Sequence, residues 1–238
     1  MAILEVGSST QRTSKTTASH TANLAFPGNV TAGNLLLVMG SVFRNDAAVA
    51  LTVTGTRCTF TVLKNDLGDV NDQNFIAYGI ATSSGAETVT VDMGGTDAGD
   101  TQWFAIDEFS GVHATPLSVD GGVTNNTSTT QADSVTTVTA NELVVGVMTT
   151  DSPDTSFTPD AGWTEIAEQE SHAVQSGSAV FQIVTTAQSY SVSWTLGASR
   201  NGWVQTASFK ASTGTVALSG SAGTSSVGTM SPGISVGL

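Results

Sequence analysis

The sequence predicts an all-β protein: a two-sheet, jelly-roll-like sandwich of about eight strands, built from an internal duplication and followed by an extended C-terminal arm. Three observations lead there. Thr, Ser, Gly and Val take the places that Leu, Glu and Lys hold in helical proteins, and only 11% of residues are charged. Apolar residues recur with period two in short runs broken by Gly, Asn, Asp and Ser, and no helical stripe is longer than about two turns. The two halves of the chain also repeat one another. At 238 residues the chain is long enough to bury a substantial core as one large domain.

Taken in order, the clearest strands are residues 34–43, 75–82, 87–93, 102–110, 142–150, 178–185, 190–196 and 202–210. The repeat pairs Asn34-Leu35-Leu36-Leu37-Val38 with Asn141-Glu142-Leu143-Val144-Val145, and the run from Phe75 with the run from Ala179. The last strand of each half carries W-x5-F, as Trp103 and Phe109 and again as Trp203 and Phe209. A four-strand unit exposes an apolar face that it cannot bury alone, so two copies related by a pseudo-twofold are expected to cover one another. Apolar residues fall on both faces of Trp103-Phe104-Ala105-Ile106, which predicts a central strand covered on both sides.

Residues 21–210 make up the duplicated domain. Residues 1–20 are polar and read as either an N-terminal arm or an edge strand. Residues 211–238 carry no charge at all, and Ile234, Val236 and Leu238 alternate like a strand seeking an edge. With Val227 and Met230 these form the expected assembly arm. Its glycines make ordering costly, so order requires compensating contacts, here expected on a neighbouring copy or on the surface that carries the protein.

The net charge of −13 repels phosphate backbones and anionic bilayers, so neither nucleic acid nor membrane is an expected partner. No run approaches the ~20 apolar residues of a membrane span, and the first residues lack a signal-peptide pattern, so synthesis in the cytoplasm without export is expected. The single cysteine, Cys58, cannot form an internal disulfide and reads as a small, buried or half-buried hydrophobe.

Catalysis needs clustered groups of suitable pKa, and no such cluster is legible; catalytic, cofactor and metal residues are all expected to be absent. His20, His113 and His172 lie in polar loops or at strand ends without metal-ligand spacing. Gly233-Ile234-Ser235-Val236-Gly237 fits G-x-S-x-G formally, yet a nucleophile elbow needs a strand before it and a helix after it. Asp107 and Glu108 are adjacent on a strand and point to opposite faces, so they cannot form a glycosidase pair. The acidic loops 65–72, 97–100 and 151–154 offer oxygens suited to Ca²⁺, although Asp, Asn and Gly are also ordinary turn residues. Among the four tryptophans the repeat assigns Trp103 and Trp203 to the core, leaving Trp163, loosely aligned with Phe60, as a possible sugar-stacking contact.

Gly33-Asn34-Leu35-Leu36-Leu37-Val38, Thr88-Val89-Thr90-Val91, the segment 103–112 and Ala140-Asn141-Glu142-Leu143-Val144-Val145-Gly146-Val147 resemble β-sandwich domains common in bacteriophage virion and metagenomic proteins. The segment 225–236 is similar to short Gly/Ser/Val repeats of phage structural proteins. The resemblance spans residues 20–210, carries no catalytic residue, and implies a jelly roll used as a capsid decoration, fibre head or adhesive module. The expectation is a virion protein that decorates or stabilises a capsid, or forms a fibre-like appendage. Its expected partners are a major capsid or tail protein and further copies of itself. The alternative is a carbohydrate-binding or adhesive module that recognises surface glycans through Trp163.

Overall fold

A computed structural model describes residues 2–6, 13–43, 51–64, 72–94, 100–152, 156–169 and 175–213. Fifteen strands run through them, and none of the described residues is helical. In chain order they are β1 (Leu4–Glu5), β2 (Thr13–Thr17), β3 (Thr21–Val30), β4 (Leu35–Phe43), β5 (Thr52–Thr54), β6 (Thr61–Lys64), β7 (Asp72–Ile80) and β8 (Gly85–Asp92). There follow β9 (Thr101–Ser110), β10 (Val112–Thr136), β11 (Glu142–Thr150), β12 (Phe157–Pro159), β13 (Thr164–Gln169), β14 (Ser176–Val184) and β15 (Ser189–Ala211).

The first sheet runs β9-β4-β7-β6, with β1 and β2 lying end to end along the outer edge of β9. The second runs β10-β15-β11-β14-β13 in the same spatial order, with β12 added to β15. A third, small sheet, β3-β8-β5, covers the first. The second half has its own cover, made by the same strands that build its main sheet. Pairing between β10 and β15 slips where the partner of Ser128 is Arg200 and that of Thr130 is Thr195. Beyond that irregularity, residues 130–136 and 189–196 pair with each other and with β12, as β3, β8 and β5 pair in the first half.

Three apolar cores follow. One lies between the cover and main sheet of the first half, around Val38, Phe75, Val91 and Phe104. A second does the same in the second half, around Val144, Val180, Trp194 and Val204. The third is the seam between the two main sheets, where Leu35, Leu37, Trp103 and Phe109 meet Leu143, Val145, Phe181 and Phe209. Main-sheet strands are therefore buried on both faces and read as almost continuous apolar runs, as in LLLVMGSVF of β4. Cover strands face solvent on one side and alternate, as β8 does.

The molecule is thus the β-sandwich that the sequence predicts, doubled by its duplication, but the described residues form fifteen strands in four layers. Each half already forms a sandwich, because a main sheet apolar on both faces needs a cover outside as well as a partner inside. β9 is the expected central strand: Trp103 and Ala105 face the seam while Phe104 and Ile106 face the first core.

Two aromatic pairs cross the seam and exchange under the pseudo-twofold. Phe109 meets Phe181 edge-on at 5.0 Å between ring centres, and Phe209 meets Tyr78 at 5.2 Å. Register corrects the repeat alignment by one residue. Leu35 faces both Phe109 and Ile80, as Leu143 faces Phe209 and Ile183, so Leu35 corresponds to Leu143 rather than to Glu142. The turn before each strand gives the reason. Gly33 (φ 88°) and Asn141 (φ 61°) both occupy the left-handed region, which Gly and Asn tolerate best, so Asn141 takes the place of Gly33 and Glu142 that of Asn34.

Candidate functional site

The best candidate site is an apolar cleft at the free edge of the first half. Residues Leu51-Thr52-Val53-Thr54 alternate, so Leu51 and Val53 point into the first core while Thr52 and Thr54 face solvent. Gly55 ends the strand; a Cβ there would collide with Glu87 Oε1. The buried Glu87 carboxylate then fixes the loop. Its Oε1 accepts from Thr56 N at 2.8 Å, and its Oε2 accepts from Thr56 Oγ1 at 2.9 Å and Arg57 N at 2.8 Å. Arg57 completes the clamp by donating Nε to the Ala86 carbonyl and Nη1 to Ser83 Oγ.

The clamped loop sets Cys58, Phe60 and Val62 beside Leu51 and Val53 around a cleft of ≈420 Å³. No charged side chain lines it. Gly79 on β7 leaves room for the wall, since a Cβ there would run into Cys58 Sγ and the Thr59 carbonyl. Burial, reinforced by the Glu87 charge, pushes the Cys58 thiol up to about 12, so at neutral pH it is an apolar wall atom and no thiolate nucleophile. On either side of the cleft stand β5, which pairs with β8 and is bridged at Thr54 to Thr59, and β6, which among the described residues pairs with β7 only. The arrangement can take up an apolar side chain and offer main-chain groups to an added strand.

At the corresponding place in the second half, Trp163 occupies the position of Phe60. Thr61 pairs with Tyr78 as Thr164 pairs with Phe181, which makes the preceding residues equivalent. Trp163 is half-buried and packs on the second-half core, on a turn held by its own N–H to the Asp160 carbonyl and by an Asp160–Ser193 hydrogen bond.

A second cleft, ≈390 Å³, lies at the root of the C-terminal segment among His113, Asn141, Lys210 and Thr213. Here β15 continues to Ala211, and Ser212 N donates to the Gly111 carbonyl at 2.8 Å.

The other residues singled out from the sequence fall as follows. Asp107 and Glu108 are fully buried. Glu108 Oε1 accepts from Thr31 N and Asn34 Nδ2, tying the turn before β4. The second half meets the same need from another strand: Glu142 Oε1 accepts from Ser118 Oγ, Val138 N, Thr139 N and Thr139 Oγ1. Burial raises the Glu142 pKa, but the nearby Ser208 hydroxyl and the hydrogen bonds from Thr139 and Ser118 outweigh it and hold the carboxyl below its ordinary range. His20 is partly exposed and its Nε2 lies 3.3 Å from Asp100 Oδ2, while His113 closes a turn with Thr115. Trp103 and Trp203 are buried. Val227, Met230, Ile234, Val236, Leu238, His172 and most of the three acidic loops lie outside the described residues. Among the described residues no group of three His, Cys, Asp or Glu is placed to hold a metal ion, and no helix is long and apolar enough to cross a membrane.

Sequence reasoning did not find the cleft. Its signals were present, as alternation at Leu51-Thr52-Val53-Thr54 and as the adjacent apolar pair Val62-Leu63, but strands of three and four residues carry too few periods to stand out. Comparison with protein-family models, curated proteins and solved structures gives no match, so the functional reading rests on the chain's own residues.

Proposed function

We propose that the chain is a structural protein of a bacteriophage-type virion, which decorates or stabilises the capsid or forms a fibre-like appendage, and that its work is assembly. One observation carries the reading. An uncharged apolar cleft between two short strand edges occurs in the same chain as an uncharged segment whose apolar residues alternate, the two halves of a strand-addition contact. The resemblance of residues 20–210 to virion sandwiches points the same way. So does the net charge of −13, which keeps free copies apart until a specific contact is made. The partners in this reading are a capsid or tail protein and further copies of the chain. Trp163, half-buried against its own core, favours assembly over glycan stacking.

The test is incorporation. Particles grown with the wild-type chain should carry it at fixed, symmetric positions visible by cryo-electron microscopy, and Ile234→Lys with Val236→Lys should leave it in the unbound fraction. Particles that lack the wild-type chain altogether, or a glycan-array signal abolished by Trp163→Ala, would replace this reading with the adhesive one.

A further inference from the structure

We infer that the first-half cleft receives the Ile234–Leu238 segment of a second copy, added as an edge strand beside β6, so that copies join tail into cleft. The inference rests on the assembly reading and names the contact that would carry it.

The chemistry matches on both sides. On β6, Val62 faces the first core and Leu63 the seam. A strand added outside β6 therefore turns alternate side chains toward the cleft, and Ile234, Val236 and Leu238 are spaced to do so while Ser235 and Gly237 face away. Seated there they would cover Phe60 and Val62, which are only partly buried. In the second half the tryptophan at the position of Phe60 supplies such apolar cover from within the chain.

Charge selects this surface. Two copies that each carry −13 repel over most of their area, and a segment with no charged side chain entering a cleft with none brings no acidic side chains together. The segment departs beyond Ser212, which is bonded at Gly111 between β9 and β10, and β6 is the far edge of the first sheet, beyond β4 and β7. The intervening chain can span that sheet at ~3.3 Å per residue, so mixing tail and cleft variants is what separates a neighbour's cleft from the chain's own. Root and cleft on opposite edges of one sheet give a head-to-tail contact, in which every copy donates one segment and receives one.

Sedimentation velocity on full-length protein tests this with three samples. Wild type should form concentration-dependent oligomers. Ile234→Lys with Val236→Lys on the tail side, and Phe60→Lys on the cleft side, should each weaken association at least about tenfold at unchanged melting temperature. Val62→Lys replaces Phe60→Lys if the latter does not fold. An equimolar mixture of the tail and cleft variants should recover association but stop at pairs, because each pair has one sound tail and one sound cleft. A cleft variant that associates like wild type while the tail variant does not overturns the cleft and leaves the assembly reading standing. A mixture that stays monomeric overturns the contact between copies. Wild type that is monomeric throughout overturns the inference, and incorporation into particles then decides the assembly reading separately.

Discussion

The two halves of this chain share one strand order and differ in how they meet the same local demands. Under the turn that leads into β4 or β11, the first half places Glu108 from β9 with Asn34 as its partner, and the second places Glu142 from β11 with Thr139 and Ser118 as its partners. The fold needs a buried acceptor for turn amides at that point, and either strand can provide it. At the seam, Asn74 of β7 donates to the carbonyls of Val147 and Trp203, whereas the register-equivalent Gly177 has no side chain and lies against the Trp103 ring. Along the outer edge, β1 and β2 are short strands, while β10 runs 25 residues, broken by register shifts. Such irregularities are the usual defence of a long edge against unwanted pairing. The cover of the second half ends in Trp163, and that of the first ends in an open cleft. Duplication thus supplies a stable pair of sandwiches, and the asymmetry between them is where a binding surface can reside.

Substitutions at the seam should have the largest effect, since the comparison treats the halves as one body. Phe209→Ala or Phe109→Ala removes a ring that packs across the seam and should cost ~3–5 kcal/mol in chemical denaturation, with a single transition seen by tryptophan fluorescence. Two separated transitions would mean that the halves fold independently. Next, Asn74→Ala removes the amide that ties the Val147 and Trp203 carbonyls across the seam and should cost ~1–3 kcal/mol, although the equivalent position in the other half has no side chain at all.

Glu142→Gln sharpens the comparison through pH. The folded carboxyl titrates below its ordinary 4.5, so its contribution is present above that value and is lost as pH falls through the lower folded one. The variant should therefore be less stable at neutral pH by ~1–3 kcal/mol and show a shallower acid limb in thermal melts. Cys58 acts at the other end of the scale: its stabilising contribution is present below 9.0 and lost as pH rises toward about 12, so Cys58→Ala should flatten the alkaline limb. The smallest effect belongs to the turns. Asn141→Gly should be almost neutral, and Gly33→Ala should cost ~1 kcal/mol from its left-handed backbone, with nothing near enough to clash.

The main-sheet strands were legible because double burial writes itself as long apolar runs, in β4, β9, β11 and β15 above all. The W-x5-F repeat likewise marked residues of the seam, since Phe109 packs across it on Phe181 and Phe209 on Tyr78. The cover strands were harder to read: β3 contains Pro27 and Gly28, and β5 and β12 are three residues long. β10 was missed despite its length, because an exposed edge rich in Thr, Ser and Asn has no apolar period. Aligning Asn34 with Asn141 matched identical letters, whereas backbone conformation pairs Asn141 with Gly33. A slip of one residue reverses every face of a strand, so only register reveals the correspondence. The cleft depends on where two distant short strands end, and no local pattern encodes that.

Amide hydrogen exchange of the full-length protein, at a concentration where copies associate, addresses the asymmetry between the halves most directly. Compared with the Ile234→Lys, Val236→Lys variant, wild type should show slower exchange in residues 51–64 and equal exchange in residues 157–169. Equal exchange in both regions, or equal slowing in both, would contradict the claim that the first half alone carries the docking edge.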